Sequence, residues 1–190
     1  MNLRPQRMLV WLLPLVLLTA FAAAPAFADL VVQPATTTVG LTESFSLDIA
    51  ITNVTDLYAF QFDLGFDPSV LSVTNVTEGP FLPSGGPTFF RPGIIDNVGG
   101  TVAYNADTLE GAISGVNGSG VLLTFDFTPV AAGISQISIF NVILLDSNGA
   151  GIVTGTQNGL VTVSSVPEPS SLLLLAGGLS GLFVRRRMTK

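Results

Sequence analysis

Three segments in the middle of the chain alternate apolar and polar residues with a period of two. They read "SFSLDIAIT" at 44–52, "LYAFQFDLGF" at 57–66 and "GVLLTFDF" at 120–127. Because successive side chains of a β-strand point to opposite sides, each segment predicts a strand with one buried face. The region is also rich in Val, Ile, Thr, Phe, Gly and Asn, with no convincing helical stretch. Short strands divided by turns predict an all-β fold, a β-sandwich.

Further strands are predicted at 30–33, 70–77, 101–106 and 152–163. The segment "ISQISIFNVILLD" at 134–146 is apolar on both faces, which predicts a central or covered strand. Asp67-Pro68-Ser69 and Asp146-Ser147-Asn148-Gly149 are typical of turns. "DSNG" begins like a calcium loop, but the later carboxylates that such a loop needs are missing. We therefore predict a hairpin turn there and no metal site.

The charge balance and the missing residue types exclude several functions. Residues 29–169 contain all 13 acidic residues of the chain and one base, Arg91, which gives a net charge of −12. So acidic a surface repels phosphate backbones, so we expect no nucleic-acid partner. The chain contains no Cys and no His, which excludes a disulfide framework, thiol chemistry and the commonest general base. No cofactor is indicated.

Carboxylates are the one remaining source of acid–base chemistry. Asp48, Asp63 and Asp126 each fall on the polar side of a predicted strand. Two such groups on neighbouring strands would suit glycoside hydrolysis, whereas solvated aspartates on an exposed sheet face are the ordinary interpretation. We favour the ordinary one and predict that the protein is not an enzyme.

The segment Glu78–Gly100 combines prolines and glycines with Phe81, Phe89, Phe90 and Arg91. As a loop, it would display aromatic side chains for stacking on sugar rings or for docking on a partner. As part of the fold, Phe89 and Phe90 would begin a short strand, and one of them would close the sandwich edge. The second interpretation is favoured, and the four residues stand as a possible ligand surface.

The N-terminus has the three parts of a secretory signal peptide. Arg4 and Arg7 precede an apolar stretch, Met8–Phe21, and Ala26-Phe27-Ala28 forms an A-x-A cleavage site before Asp29. A retained anchor is the alternative, but the apolar stretch is only 14 residues long. We predict a signal peptide at 1–28 and an exported domain at 29–163.

The C-terminus predicts a short membrane segment. Leu172–Val184 is an apolar run of 13 residues, which as a helix spans roughly 20 Å and needs flanking residues to cross a bilayer. Arg185, Arg186 and Arg187 place the tail 185–190 on the cytoplasmic side. In the linker 164–171, Pro167-Glu168-Pro169 favours an extended, accessible segment.

The sequence "VPEPSSLLLLAGGLSGLFVRRR" closely resembles the PEP-CTERM sorting signal of Gram-negative bacteria. The resemblance implies processing by a membrane enzyme of the exosortase class, followed by release or attachment at the cell surface. It makes Pro167, Glu168 and Pro169 the recognition residues and Arg185–Arg187 the stop signal. It also implies a host that makes extracellular polysaccharide.

The central domain resembles a cohesin module. The stretch 38–82 contains "FDPSVL" at 66–71 and "VTEG" at 76–79, which occupy the places of the family's Tyr/Phe-Asp-Pro-x-x-Leu corner and Val-x-x-Gly step. "GSGVLLTFDFTPVAAGISQISI" is similar to the family's Gly-x-Leu-x-x-Phe-x-Phe strand. The resemblance implies a jelly-roll sandwich of about nine strands, a plan shared with carbohydrate-binding modules.

Together these features favour a non-catalytic protein of the cell surface or extracellular matrix that contacts other proteins or polysaccharide. The cohesin resemblance implies a second hypothesis, a scaffolding module that binds a dockerin. A glycan-active enzyme is a third hypothesis, and the missing His and Cys disfavour it.

Overall fold

Eleven β-strands form two sheets in the computed structural model, which describes residues 28–165. The strands are β1 Ala28–Gln33, β2 Thr36–Gly40, β3 Phe45–Leu57, β4 Ala59–Gly65, β5 Leu71–Glu78, β6 Ile94–Asp96, β7 Thr101–Thr108, β8 Val116–Pro129, β9 Gly133–Leu145, β10 Thr154–Gln157 and β11 Gly159–Ser164. The order is β10-β1-β3-β8-β5 in the five-stranded sheet and β2-β11-β9-β4-β7-β6 in the six-stranded sheet. A single 3-10 turn, Leu82–Gly85, interrupts the strands of the described residues. The predicted all-β sandwich is confirmed.

The expected count of about nine strands is wrong, because the first and last segments each divide between the two sheets. Residues 36–40 form β2 in the six-stranded sheet directly after β1 in the five-stranded sheet. Likewise, the single strand predicted at 152–163 is two strands, β10 and β11, on opposite sheets. β1 runs parallel to β10, and β2 runs parallel to β11, so the two ends of the domain lie side by side along its length.

The core lies between the sheets and consists of the residues that the alternating pattern assigns to one face. Leu47, Ile49 and Ile51 of β3 are at most 2% exposed. Across the interior, the rings of Phe62 and Phe125 are 6.4 Å apart. Burying a large apolar side chain of this kind stabilises the fold by about 1.5–3 kcal/mol. The period-two segments therefore supply the interior of the sandwich.

Two predicted turns have the expected chemistry. The carboxylate Oδ1 of Asp67 accepts hydrogen bonds from the amide and the hydroxyl of Ser69, at 2.9 and 2.6 Å. Asp146 Oδ1 accepts from the amides of Asn148 and Ala150, both at 2.8 Å, and closes the turn after β9. The hairpin-turn interpretation of 146–149 is therefore confirmed.

Two further findings concern metal sites and membrane segments. Within residues 28–165, no cluster of three or more Asp, Glu, His or Cys side chains is placed to hold a metal ion. No helix in that range has the length and apolar character required to cross a bilayer. The predicted membrane helix at 172–184 and the tail at 185–190 lie outside the described residues, as does the signal peptide up to residue 27.

Candidate functional site

The outer face of the five-stranded sheet is a network of polar side chains. Ser46 Oγ donates to Asp126 Oδ1 at 2.6 Å, and Asn75 Nδ2 donates to Asp126 Oδ2 at 3.2 Å. Thr124 Oγ1 donates to Asp48 Oδ1 at 2.6 Å. Two of the three carboxylates considered for catalysis, Asp48 and Asp126, are thus bound by neighbouring hydroxyl and amide groups on the same sheet.

The outer face of the six-stranded sheet is apolar. Its central strand β9 presents Ile134, Phe140 and Ile143 outward, and they are 61%, 38% and 50% exposed. Of the two predicted alternatives, a central or a covered strand, the central one is confirmed, and the outer face of the strand is not covered. The apolar surface continues on neighbouring strands, where the exposed side chains are Leu160, Tyr104 and Ile94. Large exposed apolar side chains on one face mark a candidate interaction site.

A groove of about 370 Å³ crosses the end of this face, over β4, β7 and β9. Ala59, Gln61 and Ala106 lie in its floor, with Gln61 paired to Ala106 on one side and to Ile143 on the other. Because two floor residues are alanines, the larger side chains beside them stand above the floor as walls. The wall residues are Phe89 and Arg91 on one side and Ile143 and Leu145 on the other.

The wall formed by Phe89 and Arg91 is an incomplete strand added to the edge of β7. The Phe89 amide donates to the carbonyl of Thr108, and the Arg91 amide donates to the carbonyl of Ala106, both at 2.8 Å. Alternation along this segment turns Phe89 and Arg91 outward to the groove and Phe90 inward against the core. The short strand expected to begin at Phe89 begins at Ile94 instead.

The predicted ligand surface therefore divides between the groove and the interior. Phe89 is 56% exposed, and Arg91 lines the same groove. Phe81 is only 8% exposed and belongs to the core, so its assignment to a surface is wrong. Phe90 is half-buried and closes the sandwich edge.

Asp63, expected to be a solvated carboxylate, pins two β-bulges of the apolar face. It is 8% exposed, and its two oxygens accept from the Tyr104 amide and the Asn141 side-chain amide, both at 2.7 Å. Tyr104 and Asn141 have φ angles of 60° and 52°, and the pairing register shifts at Phe62/Leu64 and Gln61/Asp63. A bulge bends and twists a sheet locally. Asp63 therefore fixes the shape of the face from its central strand.

The groove wall is attached to a pair of carboxyl groups that the sequence did not reveal. Asp107, on the inward side of β7, is 2% exposed, and its Oδ2 has no hydrogen-bond partner among the described residues. Burial raises the pKa of Asp107 to about 7, with a further contribution from the neighbouring Glu78 carboxyl group. Thr88 Oγ1, two residues before Phe90, donates to Glu78 Oε1 at 2.5 Å.

Other predicted site residues lie at or beyond the limits of the described range. Ala28 is the first residue of β1 and pairs with Thr154, and Asp29 follows it. Ala26 lies outside the described residues, as do Pro167, Glu168, Pro169 and the three arginines of the proposed stop signal.

Family models match both parts of the chain. The cohesin domain model matches residues 30–163, and the model of the PEP-CTERM protein-sorting motif matches residues 165–187. The fold and the match together define a cohesin-type β-sandwich. The chain belongs to the cohesin family, and it carries a PEP-CTERM sorting motif at its C-terminus.

Solved structures share this fold at low sequence identity. A non-cellulosomal cohesin from Archaeoglobus fulgidus is 15% identical with a TM-score of 0.58, over 74% of this chain and 93% of that one. The sixth cohesin of scaffoldin B from Acetivibrio cellulolyticus was solved in complex with a dockerin. It is 15% identical with a TM-score of 0.60, over 73% of this chain and 100% of that one. A type I cohesin–dockerin complex from Clostridium thermocellum is 15% identical with a TM-score of 0.59, over 73% of this chain and 100% of the matched chain. No curated protein gave a match.

Proposed function

We propose that the protein is an exported, non-catalytic binding module that offers the apolar face of its six-stranded sheet to a protein partner. The observation that supports this proposal is the exposure of Ile134, Phe140 and Ile143 along one strand, of which Ile143 lines the groove. Large apolar side chains surrounded by polar surface are typical of the centres of protein interfaces. A shallow, mainly aliphatic face suits a protein better than a small molecule.

A dockerin-type module is the partner class that we propose first. Two of the similar structures are cohesins solved in complex with dockerins. The acidity of this chain favours a basic partner, since residues 29–169 contain 13 acidic residues and one base, Arg91. A partner with basic residues around an apolar centre would be attracted to the face by charge.

Polysaccharide is a second candidate ligand, because two aromatic side chains are exposed on the same face. Phe89 is 56% exposed and Tyr104 is 63% exposed. Aromatic rings of this kind stack on sugar rings. They belong to different parts of the face, so a sugar chain would need to extend along β7 to reach both.

The sorting motif supports display of the domain at the cell surface. We propose that a signal peptide at 1–28 directs export, and that an exosortase-type enzyme recognises Pro167, Glu168 and Pro169. Before that step, the apolar segment 172–184 would hold the precursor in the inner membrane of a Gram-negative host. Processing would then leave the domain on the surface or release it.

The last described strand ends far from the groove. β11 ends at Ser164, and the preceding residue Val163 pairs with Gly133 at the start of β9. The groove residue Ile143 lies near the other end of β9. Ten strand residues span roughly 30 Å. A partner could therefore reach the groove while the tail is held.

The test is a binding titration of the full chain in mild detergent with purified dockerin modules from the host genome, beside a glycan array. Ile143→Asp places a charge in the groove wall and should weaken binding by at least about 30-fold, since buried interface anchors contribute 2 kcal/mol or more. Thr128→Asp, at an exposed position of the five-stranded sheet, is the matched control and should bind normally. Equal affinity of the two variants would show that the apolar face is not the binding surface.

A further inference from the structure

Arg91 is the one basic side chain of a strongly acidic domain, and it lies in the groove. Residues 29–169 contain 13 acidic residues and no second base. Within residues 28–165, the guanidinium group of Arg91 forms no ion pair and no side-chain hydrogen bond. A cation among so many carboxylates ordinarily pairs with one of them, since opposite charges attract. The five N–H donors of this guanidinium group can therefore bind a group that a partner supplies.

The backbone places this side chain without using its donors. The Arg91 amide donates to the carbonyl of Ala106 at 2.8 Å, and the Arg91 carbonyl accepts from the Ala106 amide at 3.2 Å. Pro87 and Pro92 flank the wall segment, and each proline ring fixes its own φ angle. The main chain at Arg91 is thus anchored to β7, and the side chain extends from it to the groove.

The groove offers apolar surface beside this cation. Phe89 on the same wall is 56% exposed, and Ile143 on the opposite wall is 50% exposed. The volume of about 370 Å³ is close to the lower limit of ligand pockets, about 300 Å³. One or two side chains of a partner would therefore fill it. The groove matches a short segment that combines a large apolar side chain with an anionic group.

The acidic groups nearest the groove make this binding selective. Asp107 belongs to the groove lining, but it lies on the inward side of β7 and is 2% exposed. Glu110 follows the end of β7 and is exposed. An anionic ligand is repelled by such groups everywhere except where Arg91 offsets the repulsion, and a cationic ligand in the groove meets Arg91 itself. A carboxylate is therefore favoured at this one position.

We propose that the groove binds a partner segment in which a carboxylate side chain lies next to a large apolar one, with the carboxylate paired to Arg91. The inference rests on the proposed function, since it specifies what the groove takes from a protein partner. Such a partner is basic around its binding centre and carries one acidic residue within it. Arginine binds a carboxylate through two parallel hydrogen bonds, which fixes the orientation of the segment as well as its charge.

The test is an NMR titration of the full chain in mild detergent with three short peptides, acetyl-leucyl-X-leucinamide with glutamate, glutamine or lysine as X. The glutamate peptide should bind at least about tenfold more tightly than the glutamine peptide, because a charge-assisted hydrogen bond is about twice as strong as a neutral one. The lysine peptide should bind most weakly. Shifts of the Phe89 and Arg91 amides report binding in the groove, and the amide of Val130, at the other end of the sandwich, should not shift.

Three variants separate the charge of Arg91 from the shape of the groove. Arg91→Gln should abolish the preference for glutamate while the glutamine peptide keeps its affinity. Arg91→Lys should retain a reduced preference, because an ammonium group keeps the charge but loses the paired hydrogen bonds. Ile143→Ala is the matched control, since it shortens the apolar wall. It should weaken all three peptides by a similar factor and leave their ratios unchanged.

Several results would overturn the proposal. These are equal affinity of the glutamate and glutamine peptides, no binding of any peptide at millimolar concentration, or a preference for glutamate that survives in Arg91→Gln. Glucuronic acid is a fourth probe, which carries the carboxylate on a sugar. Tighter binding of this sugar than of the glutamate peptide would assign the groove to an acidic polysaccharide and would also overturn the proposal. No dockerin is present, so these results are independent of the dockerin titration with Ile143→Asp.

Discussion

The two outer faces of the sandwich come from strands with the same alternating pattern but differ in the side chains that they expose to water. On the five-stranded sheet, Asp126, Ser46 and Asn75 bind one another, and the face is polar. On the six-stranded sheet, Ile134 and Ile143 project into solvent without any such network. Exposing apolar side chains contributes nothing to the fold, and their presence on only one face is the reason for proposing this face as the binding surface.

The largest contrast that we expect is between the two sides of β9. Ile137 faces the core and is 0% exposed, whereas Ile134 faces outward and is 61% exposed. Ile137→Ala should lower the free energy of unfolding by about 3 kcal/mol, because it leaves a cavity in the interior. Ile134→Ala should change it by less than about 0.5 kcal/mol.

Urea unfolding of the full chain and of both variants measures these differences. Unchanged slopes with denaturant would show that the comparison reports stability alone. A loss of similar size in Ile134→Ala would mean that the outward side of β9 is covered by other parts of the chain, and the contrast between the two faces would fail.

The sequence predicted the core-facing residues of the strands well and the outer face of the six-stranded sheet poorly. Period-two alternation identifies Leu47, Phe62 and Phe125 as core residues because burial depends on the strand's own side-chain directions. The segment at 134–146 is apolar on both faces, and such a pattern describes a covered strand and an exposed binding strand equally well. Only the neighbours in the sheet decide between them. The strand order is not encoded in any single segment.

The site residues were missed for a related reason. Asp63 and Asp107 occupy polar positions in alternating strands, and nothing near them in the sequence distinguishes them from solvated aspartates. Their environments depend on residues at least 29 positions away, Tyr104 for Asp63 and Glu78 for Asp107. By contrast, Phe89 and Arg91 were identified because an aromatic pair and a lone base stand out in a Gly- and Pro-rich segment.

A second contrast compares the carboxylates of the two faces. Asp63→Ala removes the acceptor of two part-buried donors in two bulges, the Tyr104 backbone amide and the Asn141 side-chain amide. Since unsatisfied buried donors are costly, we expect a loss of about 1–3 kcal/mol in unfolding free energy. Asp126→Ala leaves Ser46 and Asn75 free to bind water, because both hydrogen bonds lie at the exposed surface. That change should cost less than about 1 kcal/mol.

Thermal unfolding monitored by circular dichroism compares this pair under identical conditions. If Asp126→Ala is the more harmful change, the polar network supports the fold more than the bulge contacts do. The apolar face would then owe its shape to its backbone pairing instead of to Asp63.

The smallest expected effect is the pH dependence of global stability, which separates Asp107 from the surface carboxylates. The pKa of Asp107 is raised to about 7 in the folded chain, chiefly by burial, so its contribution to stability is present at low pH and is lost as the pH rises through 7. The pKa values of Asp56, Asp67 and Asp96 are lowered by hydrogen bonds, so those groups are ionised in both states above pH 5 and add no slope there. Between pH 5.5 and 8.5 we expect the unfolding free energy to fall by about 1 kcal/mol, less than the full shift implies because solvent screens the pair. Urea unfolding at both pH values should show this decrease in the unaltered chain and a flat response in Asp107→Asn. A flat response in the unaltered chain as well would mean that Asp107 is already ionised in the folded domain.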